Sequence, residues 1–363
     1  MGRGSESRHA ALKPMSAMPH RTGISTQTAA RHATIADVAE RAEVSIATVS
    51  RVLNRTARVS DETADRVQKA IDELGFVPQA AARHLASRKT NTIGLLLPEV
   101  SSEFFFPILR GIEAATRQAG FDLLIAIQPE DQPRQIAYNP LGNHNTDGLL
   151  VFGDLADSPA LAQLTRLNFP VVLLHHSAPP GSGITSIQIE NQHGAYRLVS
   201  HLIETHGARR IAFLSGPQGN QDSDWREKGY RQALADHNLE FDSRLVEPGN
   251  YKEKDGRAAV ETLLKKGARF EAVFAGDDNS AIGALAALNQ AGLRVPEDVA
   301  LAGFDDMAPS RYLNPPLTTV RAPTEQVGRQ AVKQLVRRIQ TGQSEAEVLL
   351  PTELVIRQSC GCK

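Results

Sequence analysis

Two cysteines, Cys360 and Cys362, are all that the 363 residues contain, and both stand at the extreme C-terminus. A disulfide framework is therefore excluded, and a reducing cytoplasm is the expected setting. Two thiols alone cannot close a structural zinc site, so neither a metal nor a cofactor is expected. No apolar run approaches the length of a membrane span, so no membrane contact is expected. Residues 1–33 are polar and lack an apolar core segment, so no secretory signal is visible and they read as a disordered tail. Also missing are a Gly-x-Gly-x-x-Gly turn, a Walker loop, a Gly-x-Ser-x-Gly elbow and a His-Glu-x-x-His pair. An enzyme is accordingly not expected.

What is present is a soluble globular balance, 41% hydrophobic and 22% charged. The length exceeds one ordinary core, so two or three domains are expected. The net charge of −1 is unevenly spread. Residues 1–90 carry 14 Lys and Arg against 9 Asp and Glu, and the rest carries 26 against 32. A basic head on an acidic body points to nucleic acid for the head alone.

From Thr34 the pattern turns helical. Thr34 with Asp37 is a variant capping box, and Ile35, Val38 and Ala39 share one face. Ser45 caps a second helix carrying Val49, Val52 and Leu53. Ser60 caps a third, with Asp61 and Glu62 in its first turn and Gly75 at its end. After Asn91, apolar runs alternate with helices. Ile93–Leu97, Leu123–Ile127, Gly148–Phe152, Val171–Leu174, Ile211–Leu214, Ala272–Ala275 and Val299–Phe304 read as buried parallel strands. Helices are expected over Pro107–Ala119, Gly194–Thr205, Ser280–Gln290 and Thr324–Gln340. Ligands of such sheets bind beyond the strand C-termini. That gathers Glu99–Phe106, His175-His176, Gly216–Arg226, Gly276–Asn279 and Asp305-Asp306 around one cleft. Asp278 is expected to cap the helix that begins near Asn279.

The stretch Thr34–Asn54, with Arg58-Val59-Ser60 and Leu74-Gly75-Phe76-Val77-Pro78, resembles the DNA-binding head of the lactose-repressor (LacI/GalR) family. The likeness extends over the remaining chain through Ile93–Pro98, Asp147–Leu150, Gly229-Tyr230, Asp278 with Gly283, Gly303–Asp306 and Pro315–Val320. It implies an N-terminal all-α helix-turn-helix head with a hinge helix, followed by an α/β two-lobed periplasmic-binding-protein-like effector core. The implied domains are the head at 34–77, the hinge helix at 78–90 and the core at 91–363. In the core, the N-lobe takes about 91–190 and 322–351, and the C-lobe about 191–321 and 352–363.

The resemblance also assigns residues. Ile46, Ala47 and Arg51 fall at the positions that specify bases. Arg51 can bind guanine bidentately, and the two apolar residues can offer only methyl contacts. Ser45, Thr48, Ser50 and Asn54 suit phosphate. Leu85 falls at the hinge wedge of the minor groove, and Arg83 and Arg88 can hold phosphate beside it. Glu43 stands where the tight turn usually has glycine, at a cost of roughly 1 kcal/mol. In the effector cleft the carried-over positions are Phe104, Phe105, His175, Asp222, Arg226, Tyr251, Asp277 and Asp305. His144 and His176 read as ordinary polar residues. Tyr138-Asn-Pro-Leu-Gly142 interrupts what is usually an N-lobe helix.

The function expected is a sequence-specific DNA-binding transcriptional regulator, a repressor, controlled by a small effector between the lobes. A sugar or sugar derivative fits the mix of carboxylates, arginine and aromatics, although Arg226 can equally hold a carboxylate or phosphate. The partners expected are a pseudo-palindromic DNA operator, the effector, and a second copy in a homodimer. The helix from Phe105 and the strand Ile93–Leu97 would form the dimer surface. The alternative is a sugar-binding receptor without a DNA role. The residues do not choose between inducer and corepressor, and the resemblance favours an inducer.

Overall fold

The computed structural model describes residues 33–54, 57–76, 89–128, 141–153, 155 and 159–363. Nearly all of the expected tail, the hinge residues Arg83, Leu85 and Arg88, and Tyr138–Pro140 lie outside the described residues. Two units separate, Met1–Arg83 and His84–Lys363.

In the first unit, the Thr34 hydroxyl accepts from the Asp37 amide at 3.4 Å, and the Asp37 carboxylate accepts from the Thr34 amide at 2.6 Å. This reciprocal cap starts helix α1 (Ile35–Arg41). The turn that follows holds Glu43 at φ 54°, the left-handed backbone where glycine is cheaper. Ser45 Oγ accepts from the Thr48 amide at 3.1 Å and opens α2 (Ile46–Asn54). Helix α3 (Asp61–Leu74) begins after Ser60. Ser60 does not cap it as the sequence suggests, because its hydroxyl is engaged by the Thr63 hydroxyl at 2.8 Å. Val38, Ala39, Ala42, Val49, Val67, Ala70 and Phe76 close one small core.

The second unit has two open parallel sheets. The larger contains β1 (Thr92–Leu97), β2 (Asp122–Ile127), β3 (Gly148–Phe152), β4 (Val171–Leu174), β5 (Thr185–Ile189) and β11 (Glu347–Leu350). Their order is β11-β5-β4-β3-β1-β2. Helices α4 (Phe105–Gln118), α5 (Pro159–Arg166) and α10 (Thr324–Thr341) belong to this lobe. The smaller sheet, in the order β7-β6-β8-β9, contains β6 (Ile211–Ser215), β7 (Val246–Pro248), β8 (Ala272–Ala275) and β9 (Ala300–Ala302). Its helices are α6 (Asn191–His206), α7 (Gln221–Asp236), α8 (Glu253–Lys265) and α9 (Asp278–Gln290). The chain leaves the larger sheet after β5, returns through β10 (Thr319–Arg321), and leaves again through β12 (Glu353–Val355). Strands β10 and β12 pair antiparallel, Val320 opposite Leu354. Asp306 binds Arg321 at 2.8 Å and also Arg357, so one buried carboxylate fastens both crossings.

The helix α6–α7 contact depends on Gly229. A Cβ there would collide with the Gln192 carbonyl oxygen. The expected dimer surface needs one correction. Strand β1 is interior, paired with β2 on one side and β3 on the other, and Ile93–Leu97 are all buried. A strand with both edges satisfied and both faces covered has nothing to offer a second copy. The exposed apolar side chains on this side are Leu124, Ile125 and Ile127 of β2 and Phe106 of α4. No helix among the described residues is long and apolar enough to cross a membrane.

Candidate functional site

Helix α2 sorts its residues by face. Val49 is fully buried, and Val52 and Leu53 pack against the same core. Ser45, Ile46, Ala47 and Arg51 are exposed, and Thr48 and Ser50 are half-buried. Asn54 is the last residue of α2. Ile46 exposes 51% of its surface at the first position of the helix. An exposed isoleucine gains nothing from water, but Ile46 can offer a groove a methyl contact and the exposed Arg51 a guanidinium fork.

In the second unit, a cavity of 510 Å³ lies beyond the C-terminal ends of the strands and draws its walls from both lobes. The larger lobe contributes Phe104, Phe105, Phe152 and His175. The smaller contributes Asp222, Arg226, Tyr251, Asp277 and Asp305. The structure thus brings together all eight residues that the sequence places at the cleft, and adds Phe152. His144 is exposed, and His176 bonds the Ser177 carbonyl at 2.8 Å.

Arg226 organises the polar wall. Its side chain is 2% exposed. Nε donates to Asn191 Oδ1 at 2.9 Å, Nη1 to the Gly276 carbonyl at 2.6 Å and Nη2 to Asp305 Oδ1 at 3.0 Å. The Phe304 ring lies beneath the guanidinium at 3.8 Å. Asn191 also donates to Asp222 Oδ1 at 2.8 Å, while Asp222 Oδ2 meets His175 Nδ1 at 2.7 Å. The network therefore runs from one lobe to the other as His175–Asp222–Asn191–Arg226–Asp305. Burial works against the Asp222 carboxylate, but His175, Arg226 and Asn191 outweigh it and hold its pKa below the ordinary value. Burial wins at Asp305 and raises its pKa despite Arg226.

With Asp222 as acceptor, His175 Nδ1 carries a proton and the ring turns Nε2 toward the cavity side of the network. Nε2 is buried and has no partner among the described residues. A ligand hydroxyl would satisfy it. The His175 ring lies 5.5 Å from that of Phe104 and 5.1 Å from that of Phe152, so aromatic faces adjoin this nitrogen. Four lining residues adopt left-handed backbone: His175, Asn250, Tyr251 and Asp305, at φ 57°, 51°, 58° and 107°. Strained backbone gathered at one cavity marks a site where side-chain aim outweighs local comfort.

The two adjacent acidic pairs divide their roles differently from the sequence reading. Asp277, not Asp278, caps α9, accepting from the amides of Asn279 at 3.1 Å and Ser280 at 2.9 Å. Burial pushes the Asp277 carboxyl up to about 6. Asp278 is fully buried and accepts from the Met307 amide and the Thr319 hydroxyl, both at 2.7 Å, and from Ser310. Phe105 is 5% exposed and largely a core residue. Asn191 was not foreseen. Its only sequence signal is its position immediately after the first crossing between lobes.

A helical DNA-reading unit followed by a two-lobed receptor defines a ligand-responsive DNA-binding protein. Residues 34–79 match the model of bacterial regulatory proteins of the lacI family, and 199–360 match that of the periplasmic binding protein-like domain. The HTH-type transcriptional regulator CelR of Thermobifida fusca is 36% identical over 339 residues, 91% of this chain and 98% of CelR. The structure of a transcriptional regulator CelR–cellobiose complex is 34% identical, with a TM-score of 0.68, covering 90% of this chain and 99% of that one. The lac repressor dimer bound to operator and the anti-inducer ONPF is 26% identical, with a TM-score of 0.78, covering 91% and 99%. The chain belongs to the lacI family of bacterial regulatory proteins and is a DNA-binding transcriptional regulator.

Proposed function

We propose that the chain is a repressor in the bacterial cytoplasm, binding a pseudo-palindromic operator as a homodimer, with a neutral sugar in the cleft setting operator affinity. The observation that carries the sugar assignment is the charge of the cavity wall. Glu99, Asp222, Asp255, Asp277 and Asp305 face it against only Arg226 and Lys252. Arg226 already spends three of its five N–H donors, one on each nitrogen, on protein acceptors. A carboxylate or phosphate ligand would meet excess negative charge beside a guanidinium already engaged at each of its nitrogens. Hydroxyl groups suit the same wall, donating to carboxylates and bonding His175 Nε2 in either direction, while Phe104, Phe152 and Tyr251 cover apolar ring faces. Cellobiose, the ligand of the CelR complex, is the first compound to try. The buried acids act here as acceptors and caps, and no catalytic step is assigned to them.

The head reads DNA through Ser45, Ile46, Ala47, Thr48, Ser50, Arg51 and Asn54, with Arg83 and Leu85 in the hinge. A receptor without a DNA role leaves the exposed face of α2 unexplained. Two-fold pairing would use the apolar side chains of β2 and Phe106, since one head reads one half-site. The test is a thermal-shift series on the full chain with neutral disaccharides, sugar acids and sugar phosphates, followed by operator titration. A neutral sugar should raise the melting temperature and change operator affinity. Arg51→Ala should weaken operator binding by about 1–3 kcal/mol and relax one base pair. Stabilisation by anionic sugars alone would reject the neutral-sugar assignment.

A further inference from the structure

We propose that His201 and His206 of α6, with Cys360 and Cys362 of the C-terminal tail, form a structural binding site for one zinc ion. The sequence argues against a metal because it shows only two thiols. The fold supplies the other two ligands from 154 or more positions earlier in the chain. Among the described residues, one ligand atom from each of the four lies within 4.8 Å of every other. Cys360 Sγ lies 3.6 Å from His201 Nε2. Cys362 Sγ lies 3.6 Å from His201 Nε2 and 3.4 Å from His206 Nε2. Zinc bonds of about 2.3 Å to sulfur and 2.0–2.1 Å to nitrogen, at tetrahedral angles, place sulfur and nitrogen about 3.5 Å apart. The three separations match three of the six edges of such a tetrahedron.

Thiol–imidazole hydrogen bonds explain the arrangement less well. His201 Nε2 has one lone pair and meets two sulfurs at the same distance, whereas a metal at the centre needs that convergence. The surroundings of the site favour ligation too. The Thr205 hydroxyl lies 3.1 Å from His201 Nδ1, so Nδ1–H can donate to it and leave Nε2 free for a metal. Gly361, between the cysteines, takes φ 107°, and a Cβ there would lie 3.2 Å from His206 Nδ1. Glycine therefore lets both thiols turn to one side while the His206 ring packs over the backbone. The tail is anchored independently, since the Ser359 hydroxyl donates to the Leu301 carbonyl at 2.6 Å. Cys360 itself is 2% exposed.

Four protein ligands leave no open position, which is the pattern of a structural rather than a catalytic ion. Thiolate and imidazole together select zinc among the abundant divalent ions, with magnesium and calcium disfavoured. The ion would tie the chain end after β12 to α6 and so lock the last crossing between the lobes. The site shares no residue with the effector cleft.

The test uses the full chain, reduced and stripped with a chelator. Cobalt titration should saturate at one equivalent with the intense visible bands and thiolate charge transfer of tetrahedral sulfur–nitrogen coordination. Zinc should displace the cobalt, raise the melting temperature, and shield both thiols of the unmodified chain from alkylation. Cys360→Ser with Cys362→Ser should abolish the spectrum, and His206→Gln should weaken it. Shielding on the native sequence keeps the test decisive where a variant misfolds. Three results would each overturn the proposal: pale octahedral cobalt spectra, thiols alkylated equally with and without zinc, or equal zinc retention by the double cysteine variant.

Discussion

Arg226 is held from three directions before any ligand arrives, so its orientation adds little ordering cost to binding. Its planar fork, more than its charge, ties Asn191, Gly276 and Asp305 together. Arg226→Lys keeps the charge and loses that fork. Effector affinity should then fall by about 1.5–3 kcal/mol, while operator affinity without effector stays near that of the parent. Calorimetry and operator titration on the same preparation separate the two, and unchanged effector affinity would remove Arg226 from the site. Asp278 tests burial by pH. Its carboxyl is pushed up to about 8 from the ordinary 3.8, chiefly by burial. The folded state therefore holds a proton that the unfolded chain has released, and stability declines as pH rises from about 4 through about 8. Asp277, raised to about 6, adds the same sign. Asp278→Asn cannot titrate, so its unfolding free energy should fall less steeply over that window. Parallel curves for variant and parent would mean that Asp278 is ionised throughout.

At the scale of elements, the head was legible because each of its signals is local. The Thr34 cap, the exposed Ile46 and the buried Val49 follow from spacing within one helix. Glu43 is the local exception, and its φ of 54° places the strain in the turn before α2. Glu43→Gly should stabilise the head by roughly 0.5–1 kcal/mol, because relief of the left-handed side chain exceeds the entropy that glycine adds. Thermal unfolding followed by head-specific amide exchange would read this, and a loss of stability would show the strain to be absent. The receptor was legible where strands are continuous apolar runs, as at β1, β3 and β8. It was illegible at β5, whose Thr185-Ser-Ile-Gln-Ile189 mixes polar residues into a fully buried strand. Thr185 and Gln188 are satisfied there by Ser344, Glu345 and Glu347, partners at and just before the distant strand β11. Asn191, and His201 and His206 beside the terminal thiols, escaped for the same reason: their partners come from far along the chain. The choice between Asp277 and Asp278 as helix cap turned on one residue of register, which spacing alone does not resolve.

At the scale of the whole molecule, the polar network of the cleft begins on the larger lobe at His175 and ends on the smaller lobe at Asp305. The crossings at β5–α6, β10 and β12 are the places where one lobe can turn against the other, and Asp306 fastens two of them. A sugar bound across this network favours whichever lobe arrangement best completes its hydrogen bonds. It can shift the operator equilibrium only by its difference in affinity for the two arrangements. Linkage then requires that the factor by which sugar changes operator affinity equals the factor by which operator changes sugar affinity. Fluorescence titration of operator at zero and saturating sugar, and of sugar with and without operator, gives both factors. They should agree, with sugar weakening operator binding if it is an inducer and strengthening it if it is a corepressor. The expected size is about 5- to 150-fold. Two half-sites at a spacing of one helical turn should be needed for full affinity, and a single half-site should bind far more weakly. A sugar that binds tightly yet leaves operator affinity unchanged would show that the cleft does not control the head.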